Sequence, residues 1–443
     1  MSKLIDEKVF NTIVKMAVPM LAGTFAMNTY HLTNTWFVSR LGTEALAAIS
    51  FTFPVVMLLM FLTRGIGTGA MTLTAHALGA GDRKKAAALT THAIMLAFVF
   101  SIVLALVGII TIKPVFTVLG AKGSVLALIY DYMKIWYIGC VIMVVQIVAS
   151  DVIIATGNTK AISVLMVSGT VFNVFFDWIF IFGNLGSPAL GIKGAALATL
   201  LSQLITLLGA FFILNYRMKL IDFSAAAGNI LSSWTKILKF RLPGALGIML
   251  NPIAAAIITR LVAGFGDAAV AASGVAGRIE MFAFMIPMTV GISIIPFVAQ
   301  NYGAGRIDRI MEARKGTMAF AVLYGIFIAL IFIIFADPMA RFFSGDQTVI
   351  DVLKSYIYIT CAGYGMMEVH RYSGFCITGV HEPLKASFLD IIRIIVLLVP
   401  LSLFGSRLMG LNGIFFGRLI TDFCAGFIGI WWSGKILEQK TRI

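Results

Sequence analysis

The chain has 443 residues, of which 60% are hydrophobic and only 12% charged, with a mean hydropathy of +0.97. A soluble chain carries about 25% charged residues, so a disordered protein is excluded, an ordinary water-soluble enzyme does not fit, and much of the surface must face lipid. The basic excess, 34 Lys and Arg against 20 Asp and Glu for a formal charge of +14, is scattered between apolar runs, a pattern of membrane topology rather than of a nucleic-acid groove.

In chain order the sequence predicts twelve spans, at about 14–38, 46–77, 86–112, 134–155, 161–183, 191–216, 236–263, 268–300, 313–336, 354–378, 385–406 and 411–434. A helix needs roughly 20 apolar residues to cross about 30 Å of hydrocarbon. Residues 86–112, 194–216, 281–305 and 316–336 contain no Asp, Glu, Lys or Arg at all. The segments are rich in Leu, Ile and Phe and do not alternate, which argues against a β-barrel. The polar start, Met1 to Lys15, is followed by no small-residue cleavage site, so the first span is expected to be retained.

Lysine and arginine test the list. With the N-terminus inside, the inner segments hold 20 of them, the outer segments 8, and the spans the remaining 6. That bias predicts both termini in the cytoplasm. The cysteines, Cys140, Cys361, Cys376 and Cys424, lie in apolar segments without metal-ligand spacing. They read as small buried hydrophobes.

The two halves match at an offset of 224. Lys15 and Pro19 fall on Lys239 and Pro243, and Gly42 with Ala45-Leu46-Ala47-Ala48 on Gly266 with Ala269-Val270-Ala271-Ala272. Gly67 falls on Gly291, Gly79-Ala80-Gly81 on Gly303-Ala304-Gly305, Tyr132 on Tyr356 and Gly139 on Gly363. The register then slips, and Gly191-Ile192-Lys193-Gly194 resembles Gly410-Leu411-Asn412-Gly413. Six spans return the chain to its starting side, so the repeats share one orientation, and two such bundles enclose a central cleft suited to alternating access. The expected organisation is an N-lobe at 1–219, a cytoplasmic linker at 220–241 and a C-lobe at 242–443. The fold class is an all-α membrane protein of twelve transmembrane helices in two parallel six-helix repeats.

Several stretches resemble the multidrug and toxic-compound extrusion (MATE) family: FVSRLGTEALAAIS at 37–50, GAGDRKKA at 79–86, QNYGAGRIDR at 300–309, TGNTKAI at 156–162, NVFFDWIFIFG at 173–183 and GIKGAALAT at 191–199. The resemblance implies a monomeric exporter of small organic molecules, often cationic amphiphiles, in exchange for Na⁺ or H⁺ in the inner membrane. It implies no further cofactor and no nucleic-acid partner. It also implies a cation site in the N-lobe, whose positions fall on Asn34, Asn173, Asp177 and Thr199. These would also be the metal ligands if the ion is Na⁺.

Depth gives a separate check. At about 1.5 Å per residue, Asn34 lies about 7 Å from the outer end of its span, Asp177 roughly 9 Å below Gly183 and Thr199 roughly 12 Å below Gly191. Asn173 and Asp177 are i and i+4 on one face. Asn34 departs from the family pattern, which has Asp there. An amide ligates but neither neutralises a cation nor carries a proton, so Asp177 is expected to be the lobe's single titrating group, which tilts an open choice between H⁺ and Na⁺ toward H⁺. Asp151 lies near the other end of span four, the wrong depth to substitute, and Tyr132 or Tyr137 are the expected neighbours. Pro19 and Gly23 mark a kink in span one.

Ionisable groups inside a membrane are costly and are functional candidates by default. The C-half holds Arg278, Glu280, Glu368, His370, Arg371, Asp390, Arg393, Arg418 and Asp422. Asp390 with Arg393, Arg418 with Asp422, and Glu368 with Arg371 have the spacing of local pairs. Glu280 follows Arg278 by two positions, so those two point apart, and it lies about 18 Å into span eight. Met281, Phe284 and Met285 surround it with polarizable and aromatic surface suited to lipophilic cations. Glu280, Glu368, Arg278, Met281, Phe284 and Met285 are therefore the candidate substrate residues, and the resemblance adds Asn251, in a region of span seven where some family members have an acid. A flippase for lipid-linked sugars or phospholipid is the alternative function, weakened by the balance of Arg278 and Arg371 against Glu280 and Glu368. No nucleotide loop or catalytic arrangement marks an enzyme.

Overall fold

The computed structural model describes residues 3–222 and 228–441, which are helical with no strand among them. Polar caps start several helices. The side chain of Asp82 accepts from the Lys85 amide at 2.9 Å, that of Asn158 from Ala161 at 3.2 Å and that of Asp346 from Thr348 at 2.7 Å. Each satisfies an amide that the first helical turn leaves unbonded.

Eight helices among the described residues are long and apolar enough to cross a bilayer: Val9–Ser39, Thr43–Gly79, Arg83–Val118, Gly123–Ala155, Thr159–Phe182, Ile192–Arg217, Ile307–Phe343 and Pro383–Thr441. The last covers two predicted spans. Its backbone departs from helix at Gly410 (φ 60°, ψ −137°). There the chain doubles back, with Gly405 lying against Gly413 and Gly417 against Leu401 and Ser402. The predicted span eight is broken in two, Asp267–Ala283 and Met285–Gly303, bent by 53°. Ile230–Ala263 supplies span seven, and Gln347–Thr360 with Tyr364–Gly379 supplies span ten. The twelve-span reading stands, with spans eight and ten interrupted.

The break in span eight has a chemical cause. Pro287 has no amide hydrogen to give the carbonyl four residues before it, that of Ala283. The Tyr324 hydroxyl takes that carbonyl instead, at 2.7 Å, and the Tyr372 hydroxyl takes the Pro287 carbonyl at 2.8 Å. Tyr324→Phe is expected to cost about 1–3 kcal/mol by stranding the Ala283 carbonyl. Thermal unfolding of the purified protein reads this.

The duplication is visible in backbone angles. Gly42 (φ 103°, ψ 175°) matches Gly266 (φ 98°, ψ 169°), and Gly191 (φ 55°, ψ −127°) matches Gly410. L-residues with a Cβ rarely adopt these angles. Packing repeats as well. Gly67 lies against Asp151 and Gly291 against Phe375, while Gly139 lies against Leu200 and Gly363 against Leu419. Gly67→Ala would drive its methyl into the Asp151 carboxylate. It is expected to cost about 1–3 kcal/mol, measured by thermal unfolding.

Two compact units result, one of Lys15–Leu242 and one of Lys3–Val14 with Pro243–Ile443. In the second, Val9 and Ile13 join the core with Ile294, Phe297, Ile310 and Ile436. The Asn301 amide donates to the Leu4 carbonyl at 3.2 Å. In the first, described residues of the expected linker are packed down. The Asp222 amide donates to Thr91 at 3.0 Å and the Trp234 indole to the His92 carbonyl at 3.0 Å. Ile237 and Phe240 lie against Gly69. Residues 223–227 of that linker, and the side chains of His31 and of residues 241–249, lie outside the described residues.

Candidate functional site

Span five, Thr159–Phe182, buries a narrow stripe that includes Asn173, Asp177 and Ile181, one turn apart. Its rings Phe172, Phe176 and Phe180 stack in sequence on another face, at centroid distances of 6.2 and 5.9 Å. The buried stripe meets span six, where Gly194 lies directly on the Phe180 carbonyl. That approach, possible only without a side chain, sets the two helices close and brings Thr199 of the same span into the polar group.

Asn173 and Asp177 are fully buried and Thr199 is 4% exposed. The Asn34 amide nitrogen donates to Asp177 Oδ2 at 3.5 Å, a long bond. Thr199 Oγ1 pairs with the Tyr30 hydroxyl at 3.2 Å. Tyr132 is buried within electrostatic reach of Tyr30 and Asp177. Asp177 Oδ1 and both polar atoms of the Asn173 amide are buried without a hydrogen-bond partner among the described residues. Buried polar atoms are normally paired, and those left over call for a reason. No lysine or arginine among the described residues forms an ion pair with Asp177. The group is an oxygen-rich cluster with a single carboxylate, the chemistry of proton or small-cation exchange.

Tyr30 is the residue that sequence reasoning missed. It stands one turn before Asn34, an i, i+4 neighbour on the same face. Tyr137 packs its ring on Gly108. Asp151 lies 3.8 Å from Arg64. It belongs to a different ion pair.

In the second unit the local pairing expected from spacing is only partly what forms. Glu368 and Arg371 do pair, at 2.9 Å. Asp390 and Arg393 instead choose partners on other helices: Asp390 takes His370 at 3.2 Å and Arg393 takes Asp422 at 3.0 Å. Arg418 stands 3.8 Å from Asp422, but its closer partner is Glu280, with Nη1–Oε1 and Nη2–Oε2 both at 3.0 Å. Spacing along one helix says nothing about a neighbour across the interface, and here the neighbours win. Glu280 also accepts from the Tyr356 hydroxyl at 2.8 Å and the Tyr364 hydroxyl at 2.9 Å. Tyr356, Tyr364 and Arg418 were not among the predicted site residues.

The other candidates lie apart from this cluster or at its edge. Phe284 stacks edge-on against Tyr364 at 4.9 Å and lies 5.9 Å from the Arg371 guanidinium. Met281 is 46% exposed, Met285 is half-buried, and Arg278 and Asn251 are exposed. Arg278 forms no ion pair among the described residues.

The sequence model of the MatE family matches residues 19–179 and again residues 243–404. The chain belongs to the MATE family. The double match starts at the two halves of the internal repeat, and proteins of the MATE family are multi-pass membrane transporters, not enzymes. Among MATE relatives, an FAD transporter of Shewanella oneidensis is 31% identical over 436 residues, 98% of this chain and 96% of the relative. The multidrug export protein MepA of Staphylococcus aureus is 26% identical over 94% of this chain and 91% of its own. The crystal structure of the Vibrio cholerae MATE transporter VcmN in its bent form superimposes with a TM-score of 0.93 at 26% identity, covering 98% of each chain.

Proposed function

We propose that this MATE protein is a proton-coupled exporter of flat amphiphilic organic molecules, with Asp177 as the group that takes up and releases the coupling ion. The two halves act as lobes in alternating access, with both termini on the cytoplasmic side. The observation that carries the reading is Asp177 itself: fully buried, held by one long hydrogen bond from Asn34, and without a basic partner among the described residues. A charged carboxylate in such a place is costly, and a proton is the simplest way to remove the charge. Asn34 turns its amide nitrogen rather than its oxygen toward that carboxylate, which favours a proton over Na⁺, since a hard cation wants oxygens on every side.

For the substrate, Phe284, Met285 and the exposed Met281 offer aromatic and polarizable surface. A second reading takes a flavin dinucleotide as cargo, as for the relative that transports FAD. One charge pattern favours it. Glu280, Glu368, Asp390 and Asp422 each stand beside a basic side chain, while Arg278 is exposed and makes no ion pair among the described residues. That distribution gives an organic cation little to pair with and an anion one guanidinium.

Proteoliposomes loaded with ethidium or with FAD, given pH and Na⁺ gradients separately, test both readings. Efflux driven by the pH gradient alone is expected. No response to either gradient refutes ion exchange, and a response to Na⁺ alone refutes the proton. Which cargo leaves decides between cation and dinucleotide.

A further inference from the structure

We infer that Arg418 is a tethered cation, filling in the C-half the place that an exchangeable ion takes in the N-half, so that only one half of the molecule exchanges ions. The inference rests on the reading of Asp177 above and extends it to the stoichiometry of coupling.

The internal repeat supplies the equivalence. Tyr132 falls on Tyr356, and the Gly191 and Gly410 turns set Thr199 on Arg418. Packing confirms the register one residue away, where Gly139 meets Leu200 and Gly363 meets Leu419. Both halves therefore place a buried tyrosine and a span-six residue in one polar cluster. In the N-half that residue is Thr199, with its hydroxyl on Tyr30. In the C-half it is a guanidinium.

The guanidinium is held on several sides. It grips both oxygens of Glu280 at 3.0 Å, contacts the Tyr356 hydroxyl, and lies 3.8 Å from Asp422. Asp422 is further held by Arg393 at 3.0 Å. A two-pronged guanidinium–carboxylate pair is among the strongest polar contacts, and arginine does not lose its proton in proteins. Two carboxylates and two tyrosine hydroxyls would otherwise be a fitting donor set for a small hard cation. The side chain occupies that set permanently, and being covalently attached it cannot leave.

The test is made on the full chain in nanodiscs, in an Asp177→Asn background that removes the N-half carboxylate. The thermal midpoint is followed as NaCl replaces choline chloride at constant ionic strength. Asp177→Asn alone, and with Arg418→Lys added, are expected to show no saturable response to Na⁺. Adding Arg418→Thr, the N-half residue, is expected to give a saturable rise of several degrees. A saturable rise without the Arg418→Thr change overturns the inference, as does its absence in a folded Asp177→Asn/Arg418→Thr protein. Should that protein not fold, Arg418→Ala is assayed for recovery by millimolar guanidinium, and failure of both Na⁺ and guanidinium to restore folding overturns the inference. Because this readout is binding in protein without Asp177, it fails independently of the transport assay.

Discussion

Asp177→Asn is expected to reduce gradient-driven efflux from proteoliposomes to the level of protein-free vesicles while leaving the protein folded. The side chain is fully buried and its carboxylate accepts one hydrogen bond, from Asn34 at 3.5 Å. The amide has nearly the same shape, so packing survives, but it neither gains nor loses a proton. Asn34 already stands where the family pattern has a second acid, so no carboxylate remains in this cluster to take over. Asp151, the other buried acid of this unit, is committed to Arg64. Full ion-driven efflux by a well-folded Asp177→Asn protein would falsify the coupling assignment. Asn34→Asp is the complementary variant. It restores a second carboxylate beside the first and is expected to make efflux respond to Na⁺, because two acids with the nearby oxygens suit a hard monovalent ion.

Glu280→Ala carries the second large effect, on stability. The carboxylate accepts from the Tyr356 and Tyr364 hydroxyls and pairs with Arg418 through both oxygens. The side chains of Arg418 and Glu280 are 22% and 13% exposed. Removing one member of a buried pair strands the other charge and costs about 3–5 kcal/mol. Asp422 offsets part of this, at 3.8 Å, but it is already bound to Arg393. Glu280→Gln keeps an oxygen for the two tyrosines and is expected to lose less. Unfolding of both variants by heat, followed by intrinsic fluorescence and by aggregation, gives the ranking. An alanine variant as stable as the parent would mean that Glu280 is held for cargo rather than for structure.

The contrast between these two acids also marks where sequence reasoning stops. The spans, the duplication and the Asp177 stripe were readable because each is written along the chain: apolar runs, shared offsets, and i, i+4 spacing. Pro287 breaks span eight through a local fact as well, since the missing amide belongs to the residue itself. The partner of Arg418 was not readable. Asp422 is one turn away and Glu280 is 138 positions away, yet the distant residue has the closer contact, because two helices fold it into reach. Tyr324 is similarly silent in sequence. Nothing local announces that its hydroxyl will satisfy a carbonyl freed by a proline on another helix. Tyr30 stood in view, one turn from Asn34, but an aromatic on an apolar helix carries no signal until its hydroxyl meets Thr199.

The packing of Lys3–Val14 into the second unit bears on how the protein is made. Arg309 reaches back to the Glu7 carbonyl across 302 positions, and Asn301 to Leu4 across 297. During synthesis this segment emerges long before Ile294, Phe297, Ile310 and Ile436, the residues it packs beside. Contacts of such high sequence separation form late, because the loop they close must be ordered first. The segment must therefore wait for the second half to be inserted, with the apolar side chains of Val9 and Ile13 meanwhile lacking their final cover. Translated well before these partners, it reaches its native place only once they are in theirs.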